Sequence, residues 1–74
     1  MPHVNIKHFP KELTGAERAR LADAITAVVV DHFAVPDGVV SVALEPVEQA
    51  EWDEQVVGPE IRGREELLIK PPNS

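Results

Sequence analysis

A chain of 74 residues with 43% apolar content can organise one small core at most, which excludes multi-domain readings. Thirteen acidic against seven scattered basic residues give a formal charge of -6, which repels phosphate backbones and excludes nucleic acid as an expected partner. With no cysteine there is no disulfide framework, thiolate nucleophile or cysteine zinc site, and no stretch approaches the ~20 apolar residues of a membrane span. The expectation is a cytoplasmic protein of one domain, residues 1–74, with no exported leader and no membrane partner.

Residues 2–9 alternate, with Val4, Ile6 and His8 against His3, Asn5 and Lys7, the period of a strand with two unlike faces. Pro10 removes a backbone donor and restricts Phe9, so the ladder stops there and the chain turns through Lys11 to Leu13. Thr14 and Glu17 then stand at the spacing of a capping box. Behind it Leu21, Ile25, Val28, Val29 and His32 recur at helical intervals, which predicts a helix over residues 16–33. Pro36, Asp37 and Gly38 form a turn cluster, and residues 39–44 read as a valine-rich buried strand. Two strands joined by a long helix predict a right-handed βαβ unit with parallel strands, α/β in class. An acidic stretch follows, with Glu48, Glu51, Asp53 and Glu54 around Trp52, and Pro59 is placed as the first residue of a short C-terminal helix that ends at Lys70-Pro71-Pro72. A two-stranded sheet with one helix leaves unpaired edges and an uncovered face, so a partner copy is expected to complete it.

Pro2 follows the initiator methionine, and a small second residue licenses methionine removal, leaving proline with a free secondary amine. An α-amino group titrates near ~8, so modest desolvation or a nearby cation brings it into the range of a general base. An amine at the start of a core strand is also held still, as proton transfer requires. Metal chemistry is not expected from the three histidines. His3 and His8 face opposite sides of the strand, and His32 lies a whole helix away. His8 and His32 are the candidates for tuning the amine.

The order of these pieces resembles the tautomerase superfamily, specifically the small 4-oxalocrotonate tautomerase-like proteins. The resemblance runs through Met1-Pro2-His3, Ile6-Lys7, Phe9-Pro10, Glu12-Leu13, the second strand and the ending Leu68-Ile69-Lys70-Pro71, and it is nearest the dimeric, phenylpyruvate-type bacterial branch. It implies an enol-keto tautomerase, an isomerase without cofactor or metal, that uses Pro2 as general base and acid on a small unsaturated or aromatic 2-oxo acid. It also implies a homodimer, with one four-stranded sheet covered by two helices, or a hexamer of such dimers. The longer segment after Trp52 favours the dimer.

Against the family pattern, Lys11 stands where many members carry an arginine, and a lysine offers a point charge in place of a fork. Ser41 stands where an arginine engages the substrate carboxylate or carbonyl, so it can hydrogen-bond without supplying charge. Trp52 occupies the place of an aromatic wall. Pro2 is thus the catalytic candidate and Lys11, Ser41 and Trp52 are the substrate-binding ones, with Arg62 and Arg64 as possible replacement cations. The same scaffold hosts dehalogenation and hydration, and a non-catalytic small-molecule-binding or interaction protein of this fold is the alternative of a different class.

Overall fold

The alternating N-terminal segment forms strand β1, His3–His8, and the valine-rich run forms strand β2, Ser41–Pro46, in a computed structural model that describes residues 1–73. The strands pair in parallel, with His3 opposite Ser41 and His8 opposite Pro46, and helix α1, Gly15–Phe33, makes the crossover between them. The expected βαβ unit is therefore present.

Helix α1 begins where its capping box dictates. Thr14 Oγ1 accepts from the Glu17 amide at 3.1 Å while the Glu17 carboxylate accepts from the Thr14 amide at 2.9 Å, so two otherwise orphaned donors are satisfied. The bond from the Thr14 backbone is the main reason that the Glu17 carboxyl is held below the ordinary glutamate range. At the other end Ala34 adopts the left-handed conformation, φ 54°, and its amide closes on the Val30 carbonyl at 3.0 Å. His32 Nδ1 donates to the Val28 carbonyl at 3.0 Å in the same last turn.

Two elements differ from the sequence expectation. The second strand starts at Ser41 instead of residue 39, because Pro36 seeds a 3-10 turn over Asp37–Val39 in which the Val39 and Val40 amides bond back to the Pro36 and Asp37 carbonyls. The strand also runs on to Pro46, which has no donor, and the Val47 amide continues the ladder by bonding the His8 carbonyl at 2.8 Å. The second correction concerns Pro59. It does not open the C-terminal helix but lies inside a π-helix, α2, Asp53–Ile61, which a 3-10 turn at Gln49–Glu51 leads into and a 3-10 turn at Arg62–Leu67 follows. Trp52 is already helical at φ -60° and ψ -46°, so helix has begun well before the proline. The wide turn gives the Pro59 ring room that an α-helix, with the Gln55 carbonyl four residues back, would deny it.

The sheet separates two environments. Ile6 and His8 meet Leu21 and Leu44 on the α1 side, whereas His3, Asn5 and Lys7 face the other way, toward α2. Val47 and Val56 are the buried apolar residues among those described, and no residue of α1 is buried. Val28 and Phe33 on α1 remain 59% and 67% exposed. The radius of gyration, 14.0 Å, exceeds the about 11 Å of a compact chain of this length. The accessible surface, 5960 Å², likewise exceeds the about 4,500 Å² of a compact monomer of this mass. Among the described residues no helix is long and apolar enough to cross a membrane.

Thr14→Ala removes the cap hydroxyl without touching a packed face, and is expected to lower stability by about 1 kcal/mol in urea unfolding at fixed protein concentration.

Candidate functional site

Pro2 sits half-buried one residue before β1, and the parallel register decides what surrounds it. The Ser41 amide donates to the Pro2 carbonyl at 3.1 Å. The Ser41 hydroxyl lies 2.6 Å from His3 Nδ1, so one residue of β2 holds two successive residues of β1. Met1, ahead of Pro2, is almost fully exposed.

Lys11 and Trp52 lie at the opposite end of the strand pair. The six residues of β1 span about 20 Å, which separates Pro2 and Ser41 from them within one chain. Trp52 packs edge-on against Phe9, ring centroids 4.7 Å apart at 70°. Lys11 stands at the rim of an apolar hollow of about 310 Å³ lined by Ile6, His8, Phe9, Leu13, Leu21 and Leu44. The four candidates therefore form two groups, Pro2 with Ser41 and Lys11 near the aromatic pair.

The histidines divide in the same way. His8 is at the Lys11 end, where its Nδ1 donates to the Phe9 carbonyl at 2.7 Å, and His32 is turned onto its own helix. His3, considered from the sequence only as a metal ligand, is the one bonded beside Pro2. Its signal was available in principle, because a parallel pair that starts at residues 3 and 41 places a histidine against a serine hydroxyl. Among the described residues no three His, Asp or Glu side chains converge as a metal site.

A second hollow, about 540 Å³, opens on the face away from α1 and is lined by His3, Asn5, Lys7, Val56, Glu60 and Arg64. Lys7 Nζ pairs with the Glu60 carboxylate at 3.0 Å and reaches the Gln55 carbonyl at 3.4 Å, and Arg64 pairs with Glu60 at 3.2 Å. The hydrogen bond from Lys7, its charge and then the bond from Arg64 hold the Glu60 carboxyl below its ordinary range. The Lys7 contacts fasten α2 to the sheet, and the Arg64 pair ties α2 to the turn that follows it. Arg64 is thus engaged with Glu60, while Arg62 borders a separate apolar hollow with Val57, Ile61 and Leu68. Strand alternation already placed Lys7 beside His3 and Asn5, but nothing in the sequence pairs it with Glu60.

The chain is a parallel βαβ unit with a proline just before its first strand, and comparison with known proteins gives its class. The family described as tautomerase enzyme matches residues 2–60, and the chain belongs to it. The chain is similar to the tautomerase PptA of Enterobacter sp. (strain 638), 44% identical over 72 residues that cover 97% of this chain and 95% of the relative. The proteins of the same name from Cronobacter sakazakii and Pectobacterium carotovorum subsp. carotovorum are 38% and 35% identical over the same shares. The chain is a tautomerase, an enzyme of the isomerase class.

A carboxyl whose folded value is depressed stabilises the protein above its unfolded value, and that contribution disappears as pH falls through the folded one. Glu60→Gln is accordingly expected to melt below the parent protein at about pH 6, with the difference closing as pH falls below 4.5 in parallel thermal melts.

Proposed function

We propose that Pro2, freed of Met1, is the proton-transferring group of an enol-keto tautomerase acting on an unsaturated or aromatic 2-oxo acid. The observation that carries this reading is the pinned terminus: the Ser41 amide bonds the Pro2 carbonyl at the edge of a regular parallel pair, where most chain ends would fray. The neutral pyrrolidine nitrogen takes the proton of the enol hydroxyl, and the O–H electron pair becomes the carbonyl π bond. The former C=C pair then takes the proton back from the pyrrolidinium at the adjacent carbon, so the enzyme ends as it began. Residue 2 must carry a free amine for this, since an amide nitrogen has no basic lone pair.

Lys11, Ser41 and Trp52 complete the site in this reading only across an assembly. The excess surface and the exposed apolar face of α1 support association of chains. A two-fold axis that extends the sheet pairs identical edges antiparallel, whichever edge is used. The Pro2 end of one chain then lies beside the Phe9, Lys11 and Trp52 end of the other, giving the homodimer of one four-stranded sheet and two helices. Lys11 supplies a positive charge for the substrate carboxylate, the aromatic pair supplies an apolar wall, and Ser41 supplies a neutral hydrogen bond to the carbonyl. The segment comprising α2, clamped through Lys7 and Glu60, covers the far face of the sheet and favours the dimer over a hexamer.

Ketonisation of phenylenolpyruvate, followed by ultraviolet absorbance on mass-verified protein starting at Pro2, is the direct test. Pro2→Ala is expected to lose at least about tenfold in rate, up to the ~10²–10⁴ of a positioned acid-base group, and a form extended ahead of Pro2 is expected to be inactive. Retention of the full rate by both removes Pro2 from the mechanism. Division of the site between chains has its own signature: Pro2→Ala and Lys11→Ala proteins, each impaired, regain about a quarter of the parental rate when unfolded and refolded together, because half the dimers are mixed and each holds one intact site.

A further inference from the structure

The nitrogen of an N-terminal proline has little freedom of its own. The pyrrolidine ring locks rotation about N–Cα, so the nitrogen can be displaced relative to the strand chiefly by rotation about the Cα–C bond of Pro2. That rotation swings the Pro2 carbonyl and the peptide plane leading into His3. Both sides of this plane are held by one residue. The Ser41 amide donates to the Pro2 carbonyl at 3.1 Å, and the Ser41 hydroxyl meets His3 Nδ1 at 2.6 Å. The second bond is the shortest side-chain hydrogen bond among the described residues and joins directly opposed positions in the ladder, so its geometry follows from the register.

We propose that His3 is a positioning residue for the reaction: its bond to the Ser41 hydroxyl, acting with the Ser41 amide, sets the direction of the Pro2 nitrogen and the orientation of that hydroxyl. The orientation has a chemical consequence. When His3 Nδ1 carries a proton it donates to Ser41 Oγ, and the serine proton is left pointing outward, available to a substrate oxygen. When Nδ1 is bare the serine proton is spent on the imidazole. The imidazole thus decides whether Ser41 can hydrogen-bond a carbonyl, in a position where no charged side chain of β2 stands. This inference rests on Pro2 as the proton-transferring group.

The test compares His3→Leu, Ser41→Ala, the two together, and His3→Asn, whose side-chain amide reaches the place of Nδ1, all on protein beginning at Pro2. Phenylenolpyruvate ketonisation is measured beside Pro2→Ala, with melting temperatures for each. His3→Leu is expected to lower kcat about tenfold with KM within about twofold, since misdirection of a fixed group costs rate more than binding, and Ser41→Ala, which also removes the carbonyl contact, is expected to lower kcat at least as far. The double variant is expected to be no worse than Ser41→Ala alone, because that change already deletes the bond to His3. His3→Asn is expected to recover most of kcat. An unchanged kcat in His3→Leu overturns the proposal while Pro2→Ala remains impaired, which leaves the base assignment standing. A rise in KM alone, or a rate loss that follows a fall in melting temperature and is not recovered by His3→Asn, overturns it as well. Full activity in Pro2→Ala instead removes the base assignment, and the positioning role falls with it.

Discussion

The parallel pairing that sets His3 opposite Ser41 governs the rest of the structure. It makes the amide of residue 41 the partner of the Pro2 carbonyl, and so turns a chain terminus into a fixed point. It also decides which side chains meet α1 and which look toward α2. A slip of one residue would invert both faces of β1, sending His3 and Lys7 under α1 and Ile6 into the polar hollow. The turn at Asp37–Val39 enforces the register from one side, and the bond from the Val47 amide to the His8 carbonyl closes it from the other.

Around that ladder the chain is arranged for company. Helix α1 has a complete N-terminal cap and a closed C-terminus, so its ends are finished, yet its broad apolar face is not. The two buried valines, Val47 and Val56, lie in the second half of the chain where β2 gives way to α2. The Pro2 end and the Phe9 end of β1 stand about 20 Å apart, so a reaction that used residues from both ends would need a second chain.

Much of this was legible in the residues because it rests on local rules. Thr14 and Glu17 announce the helix start, Pro10 ends the first strand, and the alternation from Val4 to His8 assigns its faces correctly. The errors arose where a residue's usual role was outweighed by its neighbours. Pro59 favours a helix's first turn, but Trp52 had already adopted helical angles and the chain widened to admit the ring. Val39 has a strand former's side chain but was absorbed by the turn that Pro36 seeds. The pairing of Lys7 with Glu60, and the meeting of His3 with Ser41, depend on contacts between segments far apart in sequence. Composition and periodicity do not encode such contacts until the register is known. Ser41 is the instructive case, since the family resemblance implied a substrate contact there and the fold adds a bond to His3 that no local pattern announces.

The edge-on packing of Trp52 against Phe9 has a practical consequence. Trp52 is the chain's one indole, and it sits at the joint where α2 leaves the sheet and touches the last residue before Pro10. Its ultraviolet emission therefore comes from a single, defined location. Loosening of α2, filling of the neighbouring apolar hollow and arrival of another chain at that end would each change the polarity around the same ring. The protein carries a built-in optical gauge at the end of the strand farthest from Pro2, sensitive to events there.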